Sequence, residues 1–155
     1  MIAVAPADPL ALDALALVRA SHALMESLFP PEDNHYLDPA ALAAPNVVFL
    51  GARDGKGRLL GIGALVVRGD RGENWGEIKS MFTAPEARGQ GVARAILDRI
   101  EAEARQRALS CLRLETGDAL AAARRLYEQA GFAERGPFGD YTRNGTSVFM
   151  EKRLG

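Results

Sequence analysis

The sequence predicts an α/β fold, a mixed sheet with helices packed against it. Two observations carry this. Between Asn46 and Thr83 three strand-like segments follow one another through short turns, as in an antiparallel meander. After Pro85 the apolar period lengthens to that of a helix, and helical and strand-like segments then alternate to the C-terminus. At 155 residues and 16.6 kDa the chain has the length of one domain, able to bury most of its apolar surface.

The elements follow in order. A short apolar start, Ile2–Val4, precedes Leu12–Leu28, whose leucines, Val18 and Met25 recur at roughly helical spacing. Phe29-Pro30-Pro31 stops that helix, because neither proline donates a helix hydrogen bond. Asp38-Pro39 reads as a cap and first helical position for a short helix ending near Ala44. Asn46–Ala52 and Leu59–Val67 flank Asp54-Gly55-Lys56-Gly57, a hairpin turn whose glycines accept positive φ. Arg68–Asn74 is a polar turn, and Trp75–Thr83 is the third strand. Gly89–Ala108 places Val92, Ile96, Leu97, Ile100 and Ala104 on one helical stripe. Cys111–Glu115 is a strand, and Asp118 can cap a helix running to Ala130, closed by Gly131. Phe132–Arg135 and Ser147–Lys152 are the final strands, around a connection rich in Gly, Pro and Asn.

Composition narrows the function classes. The net charge of −1 does not draw the chain to nucleic acid. The halves differ slightly, −3 for Met1–Trp75 and +2 for the remainder, so an anionic ligand suits the second half better. The single cysteine, Cys111, and two histidines argue against a disulfide framework and a metal site. Met1–Val18 carries Asp8, Pro9 and Asp13 and no basic start, so neither a signal peptide nor a membrane span is expected. The default expectation is a cytoplasmic protein.

Chemistry concentrates between Trp75 and Ala95. A strand ends at Ala84-Pro85, and the loop Arg88-Gly89-Gln90-Gly91-Val92-Ala93 opens a long helix. The first amides of a helix have no internal partners and carry partial positive charge, and glycine lets an anion approach them. The same glycines could merely tighten a turn. The loop lacks the Gly-Lys-Ser/Thr ending of a Walker motif, and its strand follows a meander rather than opening a βαβ unit.

Here the sequence resembles the GNAT acetyltransferase superfamily. Its cofactor motif, Gln/Arg-x-x-Gly-x-Gly/Ala, is matched by Arg88, Gly91 and Ala93. Met81-Phe82-Thr83-Ala84-Pro85 is similar to the strand ending before that motif, with Thr83 where the family carries Val. Arg125–Phe132 (RLYEQAGF) resembles the second signature, x-Leu-Tyr-x-x-x-Gly-Phe, in the family's order and separation. The resemblance implies a roughly seven-stranded mixed sheet flanked by about four helices. It also implies acetyl-coenzyme A as donor in a cleft between two splayed parallel strands, Trp75–Thr83 and Cys111–Glu115. The pyrophosphate would then rest on the Arg88–Ala93 loop, and the pantetheine arm would pair with backbone near Met81, Phe82 and Thr83.

The resemblance also assigns roles. Tyr127 matches the tyrosine that protonates the departing thiolate, and a phenol suits the task because its pKa of about 10 lies near that of a thiol. The alternative for Tyr127 is a ring that only packs. Glu77 is the candidate base, where some members carry a catalytic glutamate; the alternative is a Glu77–Lys79 ion pair. Strand alternation places Glu77, Lys79, Met81 and Thr83 on one face unless a bulge intervenes. Glu115, where many members have Asn, is a second, water-relayed candidate.

Phe29–Tyr36 and Pro137–Asn144 are the expected walls of the acceptor site, which would hold the primary amine of a small molecule or peptide. His35, Lys79, Glu115 and Tyr141 are its candidate contacts. The rival readings are a non-catalytic acyl-coenzyme A sensor and a nucleotide-binding module. Ser147–Lys152 alternates apolar side chains onto both faces, and at a sheet edge such a strand predicts a homodimer.

Overall fold

In the computed structural model, which describes residues 1–70 and 72–155, the chain begins with β1 (Ala3–Pro6), α1 (Leu12–Leu28) and the short α2 (Pro39–Leu42). The meander follows as β2 (Val47–Arg53), β3 (Leu59–Asp70) and β4 (Glu73–Thr83). The remainder is α3 (Val92–Gln106), β5 (Cys111–Gly117), α4 (Ala121–Gln129), β6 (Ala133–Arg135) and β7 (Ser147–Arg153). Among the described residues seven strands form one sheet in the order β1-β2-β3-β4-β5-β7-β6. The β4–β5 pair is parallel and its neighbours are antiparallel.

Local chemistry explains most of these elements. The Asp38 side chain accepts the Ala41 amide at 2.8 Å, with Pro39 opening α2. In the β2–β3 turn, Asp54 accepts the amides of Lys56 and Arg58, and Gly57 takes φ +81°. The buried residues of α3 are Val92, Ile96, Leu97, Ile100 and Ala104, the stripe read from its period. They pack with Leu65, Leu112, Leu114 and Met150 on one side of the sheet, where Tyr127 of α4 joins them. On the other side Ala14 and Val18 of α1 meet Phe49, Ile62, Ala64 and Phe82.

Four expectations change. The apolar start is a strand, β1, paired antiparallel with β2. The hairpin of β3 and β4 is longer than read, pairing Gly69 with Asn74 and Asp70 with Glu73; Arg71, in the expected Arg68–Asn74 turn, lies outside the described residues. Asp118 does not cap α4, whose cap position is Leu120. Most consequentially, β7 is an interior strand, held by β5 along its length and by β6 at Phe149–Glu151. Val148 and Met150 are buried on the α3 side, and Phe149 is buried against Trp75 and Phe138 on the other. No wet apolar face is left on this strand, so the edge argument for a homodimer fails.

One contact ties the end of α1 to the sheet. A Cβ added at Gly117 would stand 1.9 Å from Cζ of the buried Phe29 ring. The Gly117→Ala substitution is expected to displace that ring and destabilise the fold by about 1–3 kcal/mol, read by urea or thermal unfolding.

Candidate active site

Strands β4 and β5 pair only from Gly76–Leu112 to Ile78–Leu114, and beyond that point they diverge. The divergence opens a cavity of about 140 Å³. Lys79, Ser80 and Met81 line it from β4, Glu115 to Gly117 from β5, and Tyr127 from α4. Phe29 and Asp33 to Tyr36 close it from the α1 side.

A bulge shapes the β4 wall. Ile62 pairs with Phe82 and Ala64 with Lys79, so Gly63 faces both Ser80 and Met81. Ser80 takes φ +57°, a left-handed conformation that costs a non-glycine residue about 1–2 kcal/mol. The extra residue reverses the alternation. Phe82 packs with α1, whereas Met81 packs on the α3 side. Glu77, Lys79, Met81 and Thr83 therefore do not share one face. The bulge also leaves the buried Ser80 hydroxyl without a partner among the described residues, in the cavity wall.

The glycine loop opens directly into the N-terminus of α3. Gly91, the residue before α3, has φ +82° and no side chain caps the helix. Gly89 also has positive φ, and a Cβ built on either glycine meets nothing within 4 Å. The approach to the first amides of α3 is thus open. Arg88, Gly89 and Gln90 are exposed, Ala93 is half-buried, and Val92 is buried as the helix's anchor. An open helix N-terminus, a β4 edge that β5 leaves unpaired after Ile78, and an orphaned serine hydroxyl in the cavity wall fit an acyl-coenzyme A donor.

Tyr127 lines this cavity, 5% exposed, its ring edge-on to Phe132 at 5.7 Å between centroids. Burial pushes its phenol well above the ordinary tyrosine value. It stays protonated throughout the range in which amines react.

Glu77 does not reach the cavity. It is 2% exposed, and both its oxygens are engaged. Arg68 binds Oε1 at 2.9 and 3.1 Å, while the Tyr141 hydroxyl donates to Oε2 at 2.6 Å and Lys79 Nζ stands 3.3 Å away. Lys79 also donates to the Tyr141 hydroxyl. The ion-pair reading of Glu77 is the one this geometry matches, and with both oxygens bonded and no place in the cavity lining Glu77 is not positioned to meet an amine there. Tyr141 does not line the cavity either; its hydroxyl is taken up by this network with Glu77 and Lys79. Burial, then the Glu77 charge, pushes its phenol far up. Pro137–Asn144 contributes nothing to the lining, and Thr146 and Ser147 stand there instead.

His35 and Glu115, 80 positions apart, do come together. His35 Nδ1 lies 2.8 Å from Glu115 Oε2, and the Ser147 hydroxyl donates to the same oxygen at 2.6 Å. Lys79 Nζ donates to the His35 carbonyl at 2.6 Å, and the Thr146 hydroxyl donates to Asp33 at 2.6 Å. These bonds fasten the segment after α1 over the cavity.

Ser80, Arg68 and Ser147 escaped the sequence reading. For Arg68 a signal existed: Arg68 pairs with Trp75 across the hairpin, which sets it diagonal to Glu77 on the same face. Nothing in the local sequence marks the bulge at Ser80, and Ser147 acquires its partner only through the β5–β7 register.

Comparison with known proteins agrees with this geometry. The profile of the acetyltransferase (GNAT) family matches residues 15–132. An IAA acetyltransferase from Azospirillum brasilense is 42% identical over 153 residues, covering 99% of this chain and 98% of its own. The N-acetyltransferase YedL of Escherichia coli (strain K12), of uncharacterised activity, is 40% identical over 93% of this chain and 88% of its own. A crystal structure from Klebsiella pneumoniae described as an acyl-CoA N-acyltransferase superposes with a TM-score of 0.82 at 35% identity, covering 100% of this chain and 99% of its own. Among the described residues no helix is long and apolar enough to cross a membrane. The chain belongs to the GNAT family of acetyltransferases, enzymes that transfer an acyl group from coenzyme A to an amine.

Proposed function

We propose that the donor is acetyl-coenzyme A and the acceptor the primary amine of a small molecule or peptide, acylated directly without a covalent enzyme intermediate. One observation carries the reading: a single cavity joins the free edge of β4, the Tyr127 ring and the polar wall of His35 and Glu115. At roughly 10–15 Å³ for each water-sized occupant, its volume of about 140 Å³ takes on the order of ten non-hydrogen atoms. That suits an acetyl group and the head of an amine better than a long acyl chain. The names of the Azospirillum and Escherichia relatives point the same way.

When bound, the donor supplies an activated thioester. The chain's own residues do the rest. The amides at Gly91–Ala93 hold the pyrophosphate, and β4 backbone beyond the bulge orients the arm. The Tyr127 hydroxyl gives its proton to the leaving sulfur. Holding both reactants in one cleft removes on the order of 7–11 kcal/mol of entropic barrier.

The test couples binding to turnover. Wild-type protein is expected to bind acetyl-coenzyme A and to release free coenzyme A with at least one member of a primary-amine panel. A β-branched residue is a conformational outlier at φ +82°. Gly91→Val is therefore expected to weaken acetyl-coenzyme A binding about tenfold, the equivalent of 1.4 kcal/mol. Pantetheine analogues lacking the pyrophosphate should lose little. Unchanged donor affinity in a folded Gly91→Val protein would remove the cradle from the reading.

A further inference from the structure

We infer that His35, oriented by Glu115, takes the proton from the acceptor amine; the inference rests on the transfer reading above and names the base that Glu77 does not supply. An ionised carboxylate only accepts hydrogen bonds, so the 2.8 Å contact to Glu115 Oε2 requires the hydrogen on Nδ1. The neutral ring then carries its lone pair on Nε2, which has no hydrogen-bond partner among the described residues. His35 and Tyr127 line the same cavity. The residue that needs a lone pair and the residue that needs a proton therefore flank one space.

The support behind the ring is built in layers. Glu115, with its side chain 11% exposed, receives a second hydrogen bond from the Ser147 hydroxyl. Asn144 fixes Ser147 in turn, donating to its hydroxyl at 2.9 Å and accepting its amide at 2.7 Å. From the other side Lys79 holds the His35 carbonyl, and the Tyr141 ring meets the imidazole edge-on at 5.1 Å. Both the backbone and the ring of His35 are thus constrained, as a proton acceptor that must meet its substrate within hydrogen-bond reach requires. Lys79 is a positioning residue here.

The step balances. A bond forms between the amine nitrogen and the thioester carbonyl carbon while the carbon–sulfur bond breaks. The nitrogen's proton passes to His35 Nε2, and the Tyr127 proton passes to sulfur. Solvent then returns a proton to the phenolate and takes one from the imidazolium.

The charged and titratable groups around the ring are Glu115 from β5, Lys79 from β4, Tyr141 from the β6–β7 connection, Tyr127 from α4 and Asp33 on its own segment. Neighbouring Tyr36 turns its hydroxyl to Glu26. Towards the cavity α1 and its end present Ser21, Met25 and Phe29.

The experiment measures coenzyme A release by the full chain, with acetyl-coenzyme A and a primary-amine panel. His35→Gln is expected to lower kcat by about 10²-fold or more and to leave acetyl-coenzyme A affinity unchanged. Glu115→Gln should give a smaller fall in kcat, because the ring remains and loses its orienting partner. Circular dichroism and melting confirm the fold of each. A folded His35→Gln protein with near wild-type kcat overturns the assignment alone. Wild-type protein that releases no coenzyme A with any amine of the panel overturns the transfer reading and this assignment with it.

Discussion

Replacing Tyr127 with phenylalanine is expected to lower turnover by about 10²-fold or more while donor affinity changes little. The substitution keeps the buried ring against Phe132 and removes only the hydroxyl. A tyrosine with a purely packing role predicts the opposite, near-normal turnover with altered stability. Burial raises the Tyr127 phenol, so the native state holds this proton more tightly than the unfolded chain does. Its contribution to stability is present below the ordinary tyrosine pKa of about 10 and is lost as pH rises beyond it. In the rate profile Tyr127 should therefore cause no alkaline fall below about pH 10. Steady-state coenzyme A release over the pH range, for the wild type and for Tyr127→Phe, checks both statements.

The second large effect concerns stability. Glu77→Leu is expected to destabilise the fold by about 3–5 kcal/mol, because Lys79, with its side chain 9% exposed, is left buried without its counter-ion. Arg68 is more exposed and contributes less, since solvent screens it. Adding Lys79→Met to Glu77→Leu should recover much of the loss, as buried ion pairs replaced by apolar groups often cost little. Urea unfolding of the two single variants and the double variant measures the coupling. A Glu77→Leu protein as stable as wild type would show that the network carries no such weight.

The elements legible in the sequence are those set by local chemistry. The Asp54–Gly57 turn, the Asp38-Pro39 start of α2 and the apolar stripe of α3 each depend on residues within a few positions of one another. The cradle before α3 is of the same kind, since glycine conformation and helix geometry create it wherever the strand and helix lie. Even the length of α1, Leu12 to Leu28, follows from its period and the prolines beyond it.

Register and long-range pairing decided the rest. Whether Ser147–Arg153 is an edge or an interior strand depends on β6 returning beside it, and that placement removed the argument for a dimer. The bulge at Ser80 turns Met81 away from the Lys79 face, and no residue type announces it. Glu77 stood where a base was expected, yet Arg68, Lys79 and Tyr141 converge on it from separate strands and a loop. The pairing of His35 with Glu115 spans 80 positions and exists only because the segment after α1 folds over the diverging ends of β4 and β5. Short-range backbone preference thus placed the glycine loop before α3, whereas burial and cross-strand contact selected which carboxylate lines the cavity.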